Sequence, residues 1–130
     1  MKKIILLLAI VSAQVSAGSF EKLSEAKAEL DKRFTYKGDP RGLDLWHVPP
    51  KKGRVFGDCE DYALALKEMV GGRIWAGITK SGLGHVMLCL DGFCADTLKR
   101  DVEEFDYKRY SWLMMMNEPM IKQKLKDSKD

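Results

Sequence analysis

The chain has 130 residues, enough for one small domain. Its 22 basic and 19 acidic residues leave a net charge of +3, so the balance that marks a nucleic-acid binder is absent. The three cysteines lack zinc-type spacing, and no P-loop, dinucleotide fingerprint or internal repeat interrupts the chain.

Residues 1–17 read as an export signal. Lys2 and Lys3 form the charged start, Ile4 to Val11 an apolar run, and Val15-Ser16-Ala17 a small-residue cleavage site before Gly18. The run is too short to span a bilayer, and no cysteine near the cleavage site offers a lipid anchor. Residues 18–130 are then expected as a single periplasmic or secreted domain, monomeric and without a stable membrane anchor. An oxidising compartment permits disulfides, and three cysteines leave one odd.

Residues 19–34 predict an amphipathic helix, with Phe20, Leu23, Ala26, Leu30 and Phe34 on one stripe and Ser19 as its cap. It is read as a cover for the core, without chemistry. Residues 35–57 predict a long connection, broken by Gly38, Asp39-Pro40, Gly42, Pro49-Pro50 and Gly53. Trp46 argues for order there, because so large an aromatic is buried or lines a groove. His47, beside the diproline, reads as a surface histidine.

The next stretch, Gly57-Asp58-Cys59-Glu60-Asp61-Tyr62, opens a helix ending at Val70. Asp58 is a good N-cap, and Gly71-Gly72 stop the far end. Cys59, Ala63, Leu66 and Val70 recur at helical spacing, which puts Cys59 at the top of the inward face. There a thiol meets the positive end of the helix dipole, which favours thiolate. Three neighbouring acids, Asp58, Glu60 and Asp61, act in the opposite direction.

Residues 73–79 predict a strand, 85–90 a second and 93–98 a third, with Asp91-Gly92 as a two-residue hairpin turn. That turn sets Leu90 opposite Phe93, Cys89 opposite Cys94 and Met87 opposite Asp96. Cys89 and Cys94 then form a non-hydrogen-bonded pair with Cα atoms about 4.5 Å apart, at the short end of the disulfide range. A Cys89–Cys94 disulfide is expected, leaving Cys59 odd. His85 and Asp96 share a face as diagonal neighbours about 7–8 Å apart at Cα, within side-chain reach. A carboxylate so placed can orient an imidazole and stabilise its charged form. Beyond Arg100, residues 107–116 read as a last strand or helix, and 120–130 as a solvated helical end.

Cysteine, histidine and aspartate thus follow in order, the first opening a helix and the others on adjacent strands. Here the sequence resembles the transglutaminase-like cysteine peptidases of bacteria, the exported group that includes periplasmic proteases acting on surface adhesins. The resemblance covers roughly residues 45–100. It rests on Trp46 and Pro49, the run Gly57 to Ala63 with Lys67, Gly84-His85-Val86, and Asp96. It implies a papain-like α+β fold in which the cysteine-bearing helix packs on a small antiparallel sheet. Cys59 would be the nucleophile, His85 the general base and acid, and Asp96 the orienting carboxylate. The Cys59 N–H would serve the oxyanion and Trp46 would wall the substrate groove. The resemblance also implies calcium on Asp58, Glu60 and Asp61, although hydrolysis through a thioester requires no cofactor.

The expected function is hydrolysis of a peptide or amide bond in a protein or peptide of the cell envelope. Alternatives within the same chemistry are a protein-crosslinking transglutaminase and a peptidoglycan amidase. From another class, the chain would be a non-catalytic module that keeps the motif to bind calcium or protein.

Overall fold

The computed structural model of the chain describes residues 2–38 and 45–128, with side chains from Gly18 onward. Asp39-Pro40 and Gly42, among the expected chain breaks, lie outside the described residues, as do the side chains of the expected export signal. In chain order the elements are α1 (Lys2–Arg33), β1 (Phe34–Tyr36), β2 (Val55–Gly57), α2 (Cys59–Val70), β3 (Arg73–Thr79), β4 (Gly84–Leu90), β5 (Phe93–Ala95), β6 (Glu103–Glu104), β7 (Tyr110–Met116) and α3 (Glu118–Asp127). The fold is α+β. A five-stranded antiparallel sheet runs β6-β5-β4-β3-β7, and β1 and β2 form a small parallel pair. No described helix is long and apolar enough to cross a membrane.

The expected stripe on α1 is the buried one: Leu23 and Leu30 are fully covered and Ala26 nearly so, while Phe20 stays exposed and meets the ring of Phe93 edge-on. The end of the expected helix, Phe34, and the two ends of the expected connection over 35–57 instead pair as short strands. Phe34 lies beside Val55 and Tyr36 beside Gly57, and Lys37 N–H extends the ladder to the Gly57 carbonyl at 2.7 Å. Three-residue strands show too little alternation to be read from a sequence.

The hairpin takes the expected register. Leu90 faces Phe93 and Cys89 faces Cys94, with Asp91 and Gly92 both at positive φ, as a twisted two-residue turn requires. Cys89 and Cys94 are disulfide-bonded, with Cα atoms 4.1 Å apart. The third strand ends at Ala95, so Asp96 lies just past the ladder and not within it.

Alternation on the strands separates two apolar layers. Ile74, Val86 and Leu88 face α1 and α2 in the main core, whereas Met87, Cys89 and Cys94 pack on the other face with Trp75, Phe105, Tyr110 and Leu113. The stretch left open between strand and helix is the strand β7, against β3. The last helix is anchored and not simply solvated. Asn117 caps it, Ile121 is buried, and the Trp46 N–H donates to Ser128 Oγ at 2.6 Å.

Candidate active site

The start of α2 is fixed by a reciprocal cap. Asp61 Oδ2 accepts the Asp58 N–H at 3.1 Å, and the Asp58 side chain faces the Asp61 N–H in return. Gly57 is required by close approach: a Cβ there would fall on the Asp61 side chain. This cap places Cys59 at the first helical position, where its own N–H has no intrahelical acceptor.

Cys59 is the free cysteine, half-buried. Its thiol donates to Glu60 Oε2 at 3.4 Å, and its sulfur also meets the backbone N–H of Val86. Burial, then the charge and hydrogen bond of Glu60, push the thiol up to about 12 against a lowering contribution from Val86, with Asp58 adding to the rise. Burial first, and then the carboxylate in direct contact, oppose the thiolate that a helix N-terminus favours.

His85 and Asp96 are both buried, at 5% and 6% exposure. His85 Nε2 lies 3.0 Å from Asp96 Oδ2, although Asp96 follows the last paired residue of β5. The ring N–H is not aligned for a good hydrogen bond, and the two groups meet by close approach. Asp96 Oδ1 accepts the N–H groups of Leu98 and Lys99, each at 2.9 Å. Burial alone would raise this carboxyl, but His85 and the two amides hold it below its ordinary range.

The site is thus two pairs, Cys59 with Glu60 and His85 with Asp96. They meet at consecutive residues of β4, since Val86 approaches the thiol while His85 holds the carboxylate. Among the described residues no hydrogen bond joins Cys59 to His85. By alternation His85 shares a face of β4 with Met87 and Cys89, while it is the backbone N–H of Val86 that meets the Cys59 sulfur.

Two expected site residues make other contacts as well. Trp46, expected to be buried or to line a groove, is buried in the core at 3% exposure. Asp61, expected in a calcium set, serves the cap, and its Oδ1 lies 3.8 Å from the exposed His47 Nδ1. Asp58 and Glu60 do come together, with donor atoms and the Cys59 sulfur all within 4.8 Å of one another. Asp58 Oδ1 is buried without a hydrogen-bond partner, as a cation ligand would be before binding. These two carboxylates fit one side of a calcium site; the six to eight oxygens of a full shell need carbonyls and water besides.

Sequence reasoning missed one cluster. Lys27 on α1 is 5% exposed, and its Nζ donates to Tyr62 Oη at 2.9 Å, to Asp31 Oδ2 at 3.2 Å and to the Asp96 carbonyl at 3.4 Å. Tyr62 Oη in turn donates to Asp31 Oδ1 at 2.6 Å. The signal was a lysine one position from the apolar stripe of a helix, with an acid four residues on. On a sequence that pattern looks like an ordinary surface pair.

Comparison of the chain with protein-family models, with curated proteins and with solved structures finds no match.

Proposed function

We propose that the chain is an exported cysteine hydrolase of papain-like, transglutaminase-like type, cleaving a peptide or amide bond in a protein or peptide of the cell envelope. The observation that carries this reading is the buried His85–Asp96 pair at 3.0 Å, one residue from the Val86 N–H that meets the Cys59 sulfur. Burying a histidine and a carboxylate together is costly unless the pair has a task or excellent geometry, and this pair lacks an aligned hydrogen bond.

In the proposed reaction Cys59 turns from Glu60 to His85, whose Nδ1 is the ring nitrogen away from Asp96. The thiol proton passes to the ring as sulfur bonds to the carbonyl carbon. Collapse of the tetrahedral adduct breaks the C–N bond, and His85 returns the proton to the leaving amine. Water attacks the thioester with His85 again as base, releasing the acid and restoring the thiol. The Cys59 N–H, without an intrahelical acceptor, serves the oxyanion. Asp96 keeps the ring oriented and stabilises its charge. The chemistry needs no metal. Calcium held by Asp58 and Glu60 would neutralise the acids that oppose the thiolate.

Export is supported by residues 1–17. Immediately after the expected cleavage position, Ser19 Oγ donates to Asp91 and Phe20 meets Phe93, so α1 is pinned to the hairpin at Ser19 and Phe20.

A second reading is favoured by one observation. A thiol bonded to Glu60 and raised to about 12 suits a non-catalytic module that uses the motif for structure or cation binding. The rate of Cys59 alkylation against pH, in wild type and His85→Ala, separates the two. The hydrolase reading expects His85→Ala to slow alkylation; equal rates, and no turnover of casein, purified sacculi, or an amine donor with a glutamine acceptor, would overturn it. The last two substrates assign amidase or transglutaminase chemistry.

A further inference from the structure

Helix α1, whose sequence promised only a cover for the core, brings a buried cation to the edge of the site. Lys27 is saturated by Tyr62, Asp31 and the Asp96 carbonyl. A cavity of about 370 Å³ opens beside this network, between α1, β1 and the turn that follows β5. Phe34, Tyr36 and Leu98 give it apolar walls, and the last two are exposed. Lys99 and Arg100 bring two more cations to its lining.

The charge balance is one-sided. Lys27, Lys99 and Arg100 face a single acid, Asp31, which Lys27 and Tyr62 already hold. Lys99 has Glu103 only at 3.9 Å, and Glu103 lies outside this lining. Arg100 is exposed and makes no ion pair among the described residues. Charge lined this way on low-dielectric walls focuses a positive potential into the cavity.

The lining of the cavity is linked to the proposed chemistry through two of its residues, Tyr62 and Lys27. Tyr62 stands three residues after Cys59 on α2, on the same side of the helix. Asp96 holds His85 through its carboxylate and Lys27 through its carbonyl.

We propose that this cavity is a substrate subsite that seats a peptide carboxylate. The acid would sit between Lys99 and Arg100, with its methylene groups against Phe34, Tyr36 and Leu98 and the Lys27 charge beneath. The proposal rests on the hydrolase reading for the word substrate, and on the cavity alone for the binding.

The test reads binding, so that the two can fail separately. The full chain is titrated with N-acetylglutamate diamide's acid form (amidated at the α-carboxyl, free at the side chain), with the matching glutamine diamide, and with N-acetylglutamine carrying a free α-carboxylate. Backbone amide shifts are followed by NMR. The expected result is saturable shifts at Leu98, Lys99 and Arg100, with the side-chain acid binding about tenfold tighter than the glutamine diamide. The double variant Lys99→Ala/Arg100→Ala, at positions outside the core, abolishes that preference, and Cys59→Ala keeps it. Equal binding by N-acetylglutamine assigns the site to a chain-end carboxylate and supports the same chemistry. Absence of saturable shifts with either carboxylate, equal binding of the glutamine diamide, or a preference that survives the double variant overturns the proposal. If the acid binds while no peptide or amide is ever hydrolysed, the hydrolase reading falls and the anion site stands.

Discussion

His85 Nε2 and Asp96 Oδ2 lie 3.0 Å apart in a buried pair, although Asp96 has already left the β5 ladder. The turn after Ala95 keeps it there, because the N–H groups of Leu98 and Lys99 both point back at its other oxygen. Asp96→Asn should therefore lower any hydrolysis by about 10²–10⁴-fold while leaving the fold in place. Its pH signature has a defined sign. The carboxyl is held below its ordinary 3.8, so the folded state binds fewer protons in acid. That contribution to stability is full above the ordinary value and is lost as pH falls through the lowered one. Urea melts at pH 7 and pH 3 should show the gap between wild type and Asp96→Asn shrinking in acid; a constant gap would contradict the ion pair.

Glu60 holds the Cys59 thiol at 3.4 Å and, after burial, is the chief reason for its high pKa. Replacing it by Gln removes the charge and keeps the shape. With calcium chelated, Glu60→Gln should speed Cys59 alkylation near neutral pH by roughly tenfold for each unit that the thiol falls. A rate no faster than wild type would mean that burial alone sets it.

Calcium should act on the same electrostatics. Asp58 Oδ1 is buried without a partner, and Glu60 is buried beside it. Adding calcium to the chelated protein is expected to raise the melting temperature and to quicken alkylation, with EDTA reversing both. If neither quantity moves, the carboxylates serve the helix start alone.

The cap depends on Gly57, whose Cβ-less backbone lies against the Asp61 side chain. Gly57→Ala should displace Asp61 from the Asp58 N–H and cost about 1–2 kcal/mol, the value of a lost N-cap. Thermal melts would check the stability, and Cys59 alkylation would report whether the thiol moves with the cap.

The Cys89–Cys94 bond closes a short loop, so its removal is expected to cost about 2 kcal/mol at most. Alkylation without reductant should label one cysteine per chain, Cys59. Three labels would show the bond absent in solution.

The sheet core was legible because its signals are local. A two-residue Asp91-Gly92 turn has one preferred twist, and side chains alternate with period two, so the turn alone fixes Cys89 against Cys94 and brings His85 within reach of Asp96. The start of α2 was legible for the same reason, since a cap is a relation among neighbours. The pairing of β1 with β2 was not, because two three-residue strands far apart in sequence carry no periodicity.

What the sequence determined by itself is therefore the α+β content, the hairpin register, the disulfide and the residues that gather at one end of β4. Only the tertiary structure decided how they face one another. It set the Cys59 thiol against Glu60, because burial removes the water that would screen that carboxylate. It turned Trp46 into core, and it carried Lys27 across from α1 to Tyr62 and the Asp96 carbonyl. The Lys27–Asp96 contact joins residues 69 positions apart, and only the folded chain places it.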